Sequence, residues 1–223
     1  MSKFQPGRPI VHIYSRVGAP ELVFFITLMA WFFIPFIFNT EDTNVTIVLN
    51  TLFVFALEYY VISNQHRFVK FISSYLLLSL TISWLNHLGI ANLLFIDKIS
   101  DIIMLLLSLV LVARSIFFSK EVDINTLISS VSGYVLLGYI LGIAVFILET
   151  FSPKYFSFSS DFSIYDSYYY AFVTMSTLGY GEIVPTNTGG KGMAIFITLC
   201  GQFYMAIVVA MIIGKLLAPK ESR

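Results

Sequence analysis

Charged side chains are scarce in this chain: Asp, Glu, Lys and Arg make up 12% of its 223 residues and cancel to a formal net charge of zero. Soluble domains are typically about 25% charged. The hydrophobic share is 57%, which a domain of this size cannot hide, because much of its surface stays in contact with solvent. The composition therefore excludes a soluble globular enzyme and a disordered chain, and it offers no basic surface for nucleic acid.

Cysteine is almost absent, since Cys200 is the single one and lies in an apolar run. A lone cysteine excludes a disulfide within the chain and a cysteine-based metal site. The three histidines, at positions 12, 66 and 87, are scattered without the spacing of metal ligands. The sequence therefore predicts no metal cofactor.

Apolar residues are instead concentrated in runs long enough for membrane helices, which need roughly 17–25 residues. Six such runs cover residues 22–38, 45–62, 71–88, 102–118, 127–149 and 192–217. The stretch 150–191 is too polar to span a membrane and too aromatic to be an ordinary linker. We therefore predict an all-α membrane protein with six transmembrane helices and a special segment before the last one.

Positive charge is distributed unevenly between the two sides of these runs. Ten of the 13 Lys and Arg residues fall on the side of the two termini, and the other three are Lys98, Lys154 and Lys191. Because cytoplasmic loops are enriched in Lys and Arg, we expect both termini in the cytoplasm, with the protein in a plasma membrane or a bacterial inner membrane. No signal peptide is evident before the first run, which is expected to remain as an anchor.

The special segment carries the most specific pattern of the chain. Asp166 is predicted as the N-cap of a short helix. A helix cannot comfortably continue through the residues that follow, because two glycines at alternate positions favour φ above zero, and that geometry lets successive carbonyl groups point the same way. Such stacked carbonyls, with a threonine hydroxyl, can replace the hydration shell of a dehydrated cation. The residues in question are Thr177, Leu178, Gly179, Tyr180 and Gly181, here called the filter segment.

This pattern resembles the voltage-gated-like six-helix potassium channel family, whose filter reads Thr-Val-Gly-Tyr-Gly-Asp. Residues 163–205 give the close match; the fifth helix fits by position, and the first four fit by number and orientation. The matching residues beyond the filter segment are Asp166 at the start of the pore helix, Tyr169 and Tyr170 at the place of paired tryptophans, Pro185, Gly189, Gly190, Lys191, and Gly201 at the place of a hinge glycine.

The resemblance implies a homotetramer in which three further copies of the chain close one pore in the lipid bilayer. Potassium ions, bound at residues 177–180, would be the permeant ligand, with no other cofactor, no enzyme substrate and no nucleic acid. Two departures alter the surroundings of the filter segment, since Glu182 replaces the family's Asp and Tyr169 replaces a Trp. Val184 stands at the outer mouth, where an aromatic residue would favour block by tetraethylammonium.

Two features have alternative interpretations. Tyrosines 168, 169 and 170 form either an aromatic cuff around the filter or part of an interfacial aromatic belt. Gly201 is either a hinge of the inner helix or a small residue at a tight helix crossing. The pair Gly138 and Gly142 is interpreted as a surface for close helix packing.

The fourth run lacks the charge ladder of a voltage sensor, which needs an Arg or Lys about every third residue. Its one candidate is Arg114, so we expect opening to depend only weakly on voltage. Glu58 in the second run lies at a similar depth, and we predict a structural ion pair between the two. The alternative is that each side chain reaches separately to the inner interface.

These observations predict a cytoplasmic segment 1–21, a four-helix domain 22–118 that resembles a voltage sensor without its charges, a linker 119–126, a pore domain 127–217 and a cytoplasmic tail 218–223. The predicted function is passive, potassium-selective conduction. A weakly selective monovalent cation channel is the alternative, although it would be expected to lose Tyr180. A potassium transporter subunit would carry four pore loops in one chain, and the motifs of a membrane enzyme are missing.

Overall fold

The computed structural model describes residues 18–38, 43–64, 68–90, 94–119, 122–151, 154–158 and 162–217. Residues 1–17 of the predicted N-terminal segment and the predicted tail 218–223 lie outside these ranges. Within them the chain is all-α, as predicted. Its helices are α1 (Ala19–Phe38), α2 (Thr43–Ser63), α3 (Val69–His87), α4 (Leu94–Phe118), α5 (Ile124–Phe151), α6 (Ile164–Met175) and α7 (Thr188–Leu217).

Five of these helices, α1, α2, α4, α5 and α7, are long and apolar enough to cross a membrane. The chain is therefore a multi-pass membrane protein. Helix α3 lies where the third run was predicted, but its serine and threonine side chains lower its mean hydropathy, and it is not among the five. Its passage through the membrane stays a prediction. With 12 residues, α6 is too short to span.

Helix α4 begins at Leu94, well before the predicted start of the fourth run at residue 102. The apolar pattern missed its first two turns because they carry Asp97, Lys98 and Asp101. These charges have partners: Ser83 Oγ of α3 donates to Asp97 Oδ1 at 2.5 Å, and Lys98 Nζ donates to Asp101 Oδ2 at 3.2 Å. A buried charge is tolerated when it is paired and hydrogen-bonded.

The first four helices pack in chain order and share one core with the outer face of α5. Within it, the Trp31 ring of α1 stacks on Phe53 of α2 at 5.0 Å and on Tyr139 of α5 at 4.6 Å. In a lipid bilayer the hydrophobic effect does little to drive helices together, so close van der Waals packing of this kind stabilises their association. The aromatic contacts therefore attach the four-helix part to α5.

Glycines bring α5 close to α6. A Cβ atom added at Gly138 would lie 2.9 Å from Cε2 of the Phe172 ring, and one added at Gly142 would lie 3.0 Å from the Cα atom of Tyr168. Both distances are too short for a side chain, which supports the predicted packing role of the two glycines.

Helix α7 crosses the end of α6 at Gly201. A Cβ atom at this position would lie 2.5 Å from the carbonyl oxygen of Met175. Helix α7 runs without interruption from Thr188 to Leu217. Of the two interpretations of Gly201, the tight crossing is therefore the one observed, and the hinge stays a prediction.

The far end of α7 is attached to the end of α4. Lys215 Nζ donates hydrogen bonds to the carbonyl oxygens of Ile116 at 2.6 Å, Phe117 at 3.1 Å and Ser119 at 2.8 Å. The last carbonyl groups of a helix have no partner within the helix, and a cation also interacts favourably with the negative end of the helix dipole. Lys215 therefore caps α4 from the other end of the chain.

Asp123 caps the start of α5. Its Oδ1 atom accepts hydrogen bonds from the Thr126 N–H at 2.9 Å and from the Thr126 hydroxyl at 2.8 Å, which satisfies one of the free donors of the first turn. The neighbouring Asn125 Oδ1 accepts from the Gly18 N–H at 2.7 Å. The entrances of α1 and α5 are thereby joined.

Candidate functional site

Helix α6 begins with a reciprocal cap. Ser163 is the N-cap, and both its N–H and its hydroxyl donate to Asp166 Oδ2, at 2.8 and 3.1 Å. The prediction of Asp166 as the N-cap is wrong by three residues, because this carboxylate instead occupies the third helical position of a capping box. The spacing of a serine three residues before an acid could have revealed this start. Asp166 thus fixes the beginning of the helix that leads to the filter segment.

The end of α6 holds the first half of the filter segment. The carbonyl oxygen of Val173 accepts hydrogen bonds from the N–H groups of Leu178 at 3.0 Å and Gly179 at 3.3 Å. The Thr177 N–H donates to the carbonyl oxygen of Thr174 at 3.1 Å. The N–H groups of residues 177, 178 and 179 therefore all donate to carbonyl groups of α6. These hydrogen bonds attach the start of the filter segment to the last turn of α6.

The sign of φ alternates along the filter segment. It is positive at Thr177 (64°), Gly179 (55°) and Gly181 (91°), and not at Leu178 or Tyr180. The predicted conformation of the two glycines is confirmed. Positive φ at Thr177 was not predicted, and it is unusual for a β-branched residue; such outliers cluster at functional sites. Among the described residues, no protein donor binds the carbonyl oxygens of 177–181.

The hydroxyl group of Tyr169, on α6, donates a hydrogen bond to Oε1 of Glu182, directly after the filter segment. This hydrogen bond, with partial desolvation and the negative charge of Glu182, raises the pKa of Tyr169 to about 12. The hydroxyl therefore keeps its proton at neutral pH. The two departures from the family pattern are in direct contact with each other.

The other two tyrosines of the predicted cuff lie in the core of the same chain. Tyr168 packs against Tyr139 with ring centroids 4.7 Å apart, and Tyr170 packs against Phe156 at 4.8 Å. Consecutive residues of a helix point in different directions, so three in a row cannot share one face. The cuff of three tyrosines is therefore not formed within one chain, and Tyr170 packs in a core cluster that includes Phe156 and Met175.

Residues 154–158, here called the outer strap, pair with the chain that leaves the filter segment. The Ser157 N–H donates to the Val184 carbonyl oxygen, and the Val184 N–H donates to Ser157 Oγ, both at 2.9 Å. The Thr186 N–H donates to the Tyr155 carbonyl oxygen at 2.8 Å, and Phe156 forms an antiparallel bridge with Pro185. Val184 and Pro185 are thereby fixed beside the outer strap.

Glu149, near the end of α5, holds the outer strap in place. Its carboxylate accepts hydrogen bonds from the N–H groups of Lys154 at 2.7 Å, Tyr155 at 3.0 Å and Phe156 at 3.2 Å. The side chain is buried, with 8% of the residue exposed. Sequence reasoning missed this role and treated Glu149 only as the end of the fifth run. An acid that closes an apolar run was the available signal.

The predicted ion pair between Glu58 and Arg114 is not formed. In the described residues, the ion pairs are those of Lys98 with Asp97 and Asp101. Arg114 lies on the exposed face of α4 that also carries Leu106, Val110 and Phe117, and its guanidinium lies 5.6 Å from the Phe118 ring centroid. Equal depth in the sequence does not fix the direction in which a helical side chain points, so this prediction is wrong.

Comparisons with known proteins concern this second half of the chain. A family model described as ion channel matches residues 133–218. The A-type voltage-gated potassium channel KCND3 of Rattus norvegicus is 35% identical over 84 residues, which cover 37% of this chain and 13% of the relative. No solved structure gives a significant match.

Two further relatives are also voltage-gated potassium channels by name. Potassium voltage-gated channel subfamily A member 2 of Oncorhynchus mykiss is 35% identical over 83 residues, and subfamily A member 10 of Homo sapiens is 35% identical over 84. Each match covers 37% of this chain and 16% of the relative. The chain thus spans about a sixth or less of the length of these relatives.

The matched region contains the filter segment, the pore-helix candidate α6, most of α5 and the whole of α7. The matches are to channels, which confirms the prediction of a channel domain rather than an enzyme for this region. Residues 133–218 of this chain are thus similar to an ion channel family model, and the relatives named above are voltage-gated potassium channels.

Proposed function

We propose that the protein is a potassium-selective channel that conducts K⁺ passively through a pore built by four copies of the chain. The observation that carries the proposal is the alternating sign of φ at residues 177, 179 and 181. Alternation of this kind directs successive carbonyl oxygens to one side, and rings of such oxygens replace the hydration shell of K⁺. No cofactor takes part in conduction, and K⁺ is the permeant ion.

The exposure of the filter segment supports the tetramer. Leu178 is 60% exposed and Tyr180 is 66% exposed in a single chain. Irregular backbone at membrane depth is tolerated only where it is buried in protein or lines a water-filled cavity. Four copies around one axis, with α7 lining the pore, provide both conditions. Three further copies of the chain and the lipid bilayer are therefore the proposed partners.

The charges of α4 support weak voltage dependence. Its charged residues are Asp97, Lys98, Asp101 and Arg114, which sum to zero. Moving one charge across the whole field yields about 2.3 kcal/mol per 100 mV, so a helix of zero net charge gains little from the field. We propose that residues 22–118 form a support domain, joined by the linker 119–126 to a pore domain 127–217, with both termini in the cytoplasm.

Reversal potentials test the proposal directly. The purified full chain is reconstituted in planar bilayers with K⁺ on one side and Na⁺ on the other. The reversal potential should move toward the K⁺ equilibrium potential and follow it when the gradient is changed. A value near zero under these bi-ionic conditions would contradict K⁺ selectivity and favour the weakly selective cation channel.

A further inference from the structure

A cavity of about 720 Å³ lies between the four-helix part and the start of α6, away from the filter segment. Helices α1 to α6 all contribute to its wall. Ligand pockets in proteins typically measure roughly 300–1,000 Å³. The cavity is therefore large enough for a small organic molecule.

One wall of the cavity is polar and tightly connected. Asn50 Nδ2 donates to Ser83 Oγ at 3.1 Å, and Ser83 Oγ donates to Asp97 Oδ1 at 2.5 Å. Lys98 Nζ lies 3.9 Å from Asp97 Oδ2 and 3.2 Å from Asp101 Oδ2. Two carboxylates thus face one ammonium group, and the wall carries a net charge of −1.

Two oxygen atoms of this wall have no hydrogen-bond partner among the described residues: Asn50 Oδ1 and Asp101 Oδ1. Each residue is only 7% exposed, and both line the cavity. A buried acceptor without a donor is costly, and more so when it is charged. Both free atoms are acceptors, so the matching ligand must supply hydrogen-bond donors and positive charge.

A second part of the lining, here called the aromatic wall, is formed by ring side chains. Trp31, Tyr139, Phe146 and Tyr165 all line the cavity. Aromatic faces attract organic cations and bind the apolar body of a ligand. A metal ion fits this wall poorly, and no group of three His, Cys, Asp or Glu side chains in the described part of the chain could hold one.

We propose that this cavity binds a small organic cation, a protonated primary amine with an apolar or aromatic body. The ammonium group donates hydrogen bonds to Asp101 Oδ1 and Asn50 Oδ1, and the body packs against Trp31 and Tyr139. Because helices α1 to α6 all line the cavity, a bound ligand contacts the four-helix part and α6 at the same time. The channel would thereby carry a ligand site outside its pore.

Calorimetric titration of the purified full chain in detergent tests this site, with phenethylammonium chloride as the probe and empty micelles as the blank. KCl is kept high so that the filter segment is occupied by K⁺. We expect saturable binding that also changes Trp31 fluorescence, and at least tenfold weaker binding of the neutral phenethyl alcohol. Equal binding of the amine and the alcohol would overturn the proposal.

Variants locate the site. Asp101→Asn removes the charge of one free acceptor and should weaken amine binding at least tenfold. Lys98→Met removes the competing ammonium group and should strengthen binding several-fold, which decides the question even where Asp101→Asn fails to fold. Glu58→Gln, an acid outside the cavity, is the matched control and should bind as the native chain does.

Two outcomes would contradict the assignment. Native affinity in a folded Asp101→Asn variant or in Lys98→Met would show that the amine binds elsewhere. Binding of MgCl₂ alone more tightly than the amine, lost in Asp101→Asn, would replace the organic cation by a metal ion. Neither outcome depends on ion conduction, so the ligand site and the proposed channel function are tested separately.

Discussion

The Tyr169 hydroxyl donates its hydrogen bond to the Glu182 carboxylate, so the two positions that differ from the family pattern form a single contact. In that pattern, Trp and Asp occupy these places. A phenol is shorter than an indole, and a glutamate is longer than an aspartate by one methylene group. The longer acid thus compensates in length for the shorter ring, and the two side chains meet.

Tyr169→Phe removes the donor of this contact and leaves Glu182 without it. We expect the current to decline faster during sustained opening, because the chain after the filter segment loses a tie to α6. Time courses of current in bilayers measure this decline. Tyr59→Phe, which changes an exposed tyrosine of α2, is the matched control and should leave the decline unchanged.

The pair should also be exchangeable as a unit. Tyr169→Trp alone and Glu182→Asp alone should both accelerate the decline, and the double variant should recover most of the native time course. Contacting residues of this kind show non-additive effects in double-mutant cycles. Additive effects of the two changes would contradict a shared role.

Gly179→Ala should abolish K⁺-selective current. No heavy atom lies within 4 Å of a Cβ added at this position, so the cost comes from φ at +55° rather than from a clash. Gly192→Ala on α7 also meets open space, but without a positive φ, and it should keep selectivity. The bi-ionic reversal potential of both variants measures the difference; a selective current in Gly179→Ala would show that the filter assignment is wrong.

Glu149→Gln should destabilise the outer strap by about 1–3 kcal/mol, the cost of leaving buried donors unsatisfied. The amide keeps one acceptor oxygen but replaces the other by a donor that faces N–H groups. Thermal unfolding of the purified protein measures the loss. Glu58→Gln is the matched control, and an equal shift in both variants would contradict the specific role of Glu149.

Acid should weaken the cap at the start of α5. Partial burial acts to raise the pKa of Asp123, but hydrogen bonds from Thr126 and Asn125 outweigh it and hold this pKa below its usual value of 3.8. A carboxyl whose pKa is lowered by folding stabilises the native state fully above its unfolded pKa and loses that effect as pH falls. The contribution of Asp123 is therefore complete above about pH 5 and declines below pH 3.8.

Asp123→Asn keeps an oxygen at the cap but does not titrate. Between pH 5 and pH 3, the melting temperature of the native chain should fall more than that of this variant. Parallel melting curves of both proteins measure the difference. Identical pH dependence would show that the cap does not contribute to acid sensitivity.

Most of the helices could be predicted from the sequence because runs of apolar residues are read directly from hydropathy. The start of α4 could not, because Asp97 and Asp101 look like loop residues until Ser83 and Lys98 are placed beside them. The same limit explains the error on Glu58 and Arg114: helical depth follows from sequence position, whereas the direction of a side chain depends on which face the neighbouring helices cover.

The positive φ of Gly179 and Gly181 could be predicted because glycine spacing acts locally on the backbone. The surroundings of the filter segment could not be predicted, since the residues that support them lie far from the filter segment in the sequence. Glu149 precedes the outer strap that it holds by 5 to 7 residues, and Ser157 lies 27 residues before Val184. Only the folded chain brings these groups together.

Lys215 gives the fold a mechanical property. Its ammonium group holds carbonyl oxygens of Ile116, Phe117 and Ser119 across an interval of almost 100 residues. An outward movement of the end of α7 with α4 in place would break these hydrogen bonds. The ends of α4 and α7 are therefore coupled: a displacement of one without the other costs the contacts of Lys215.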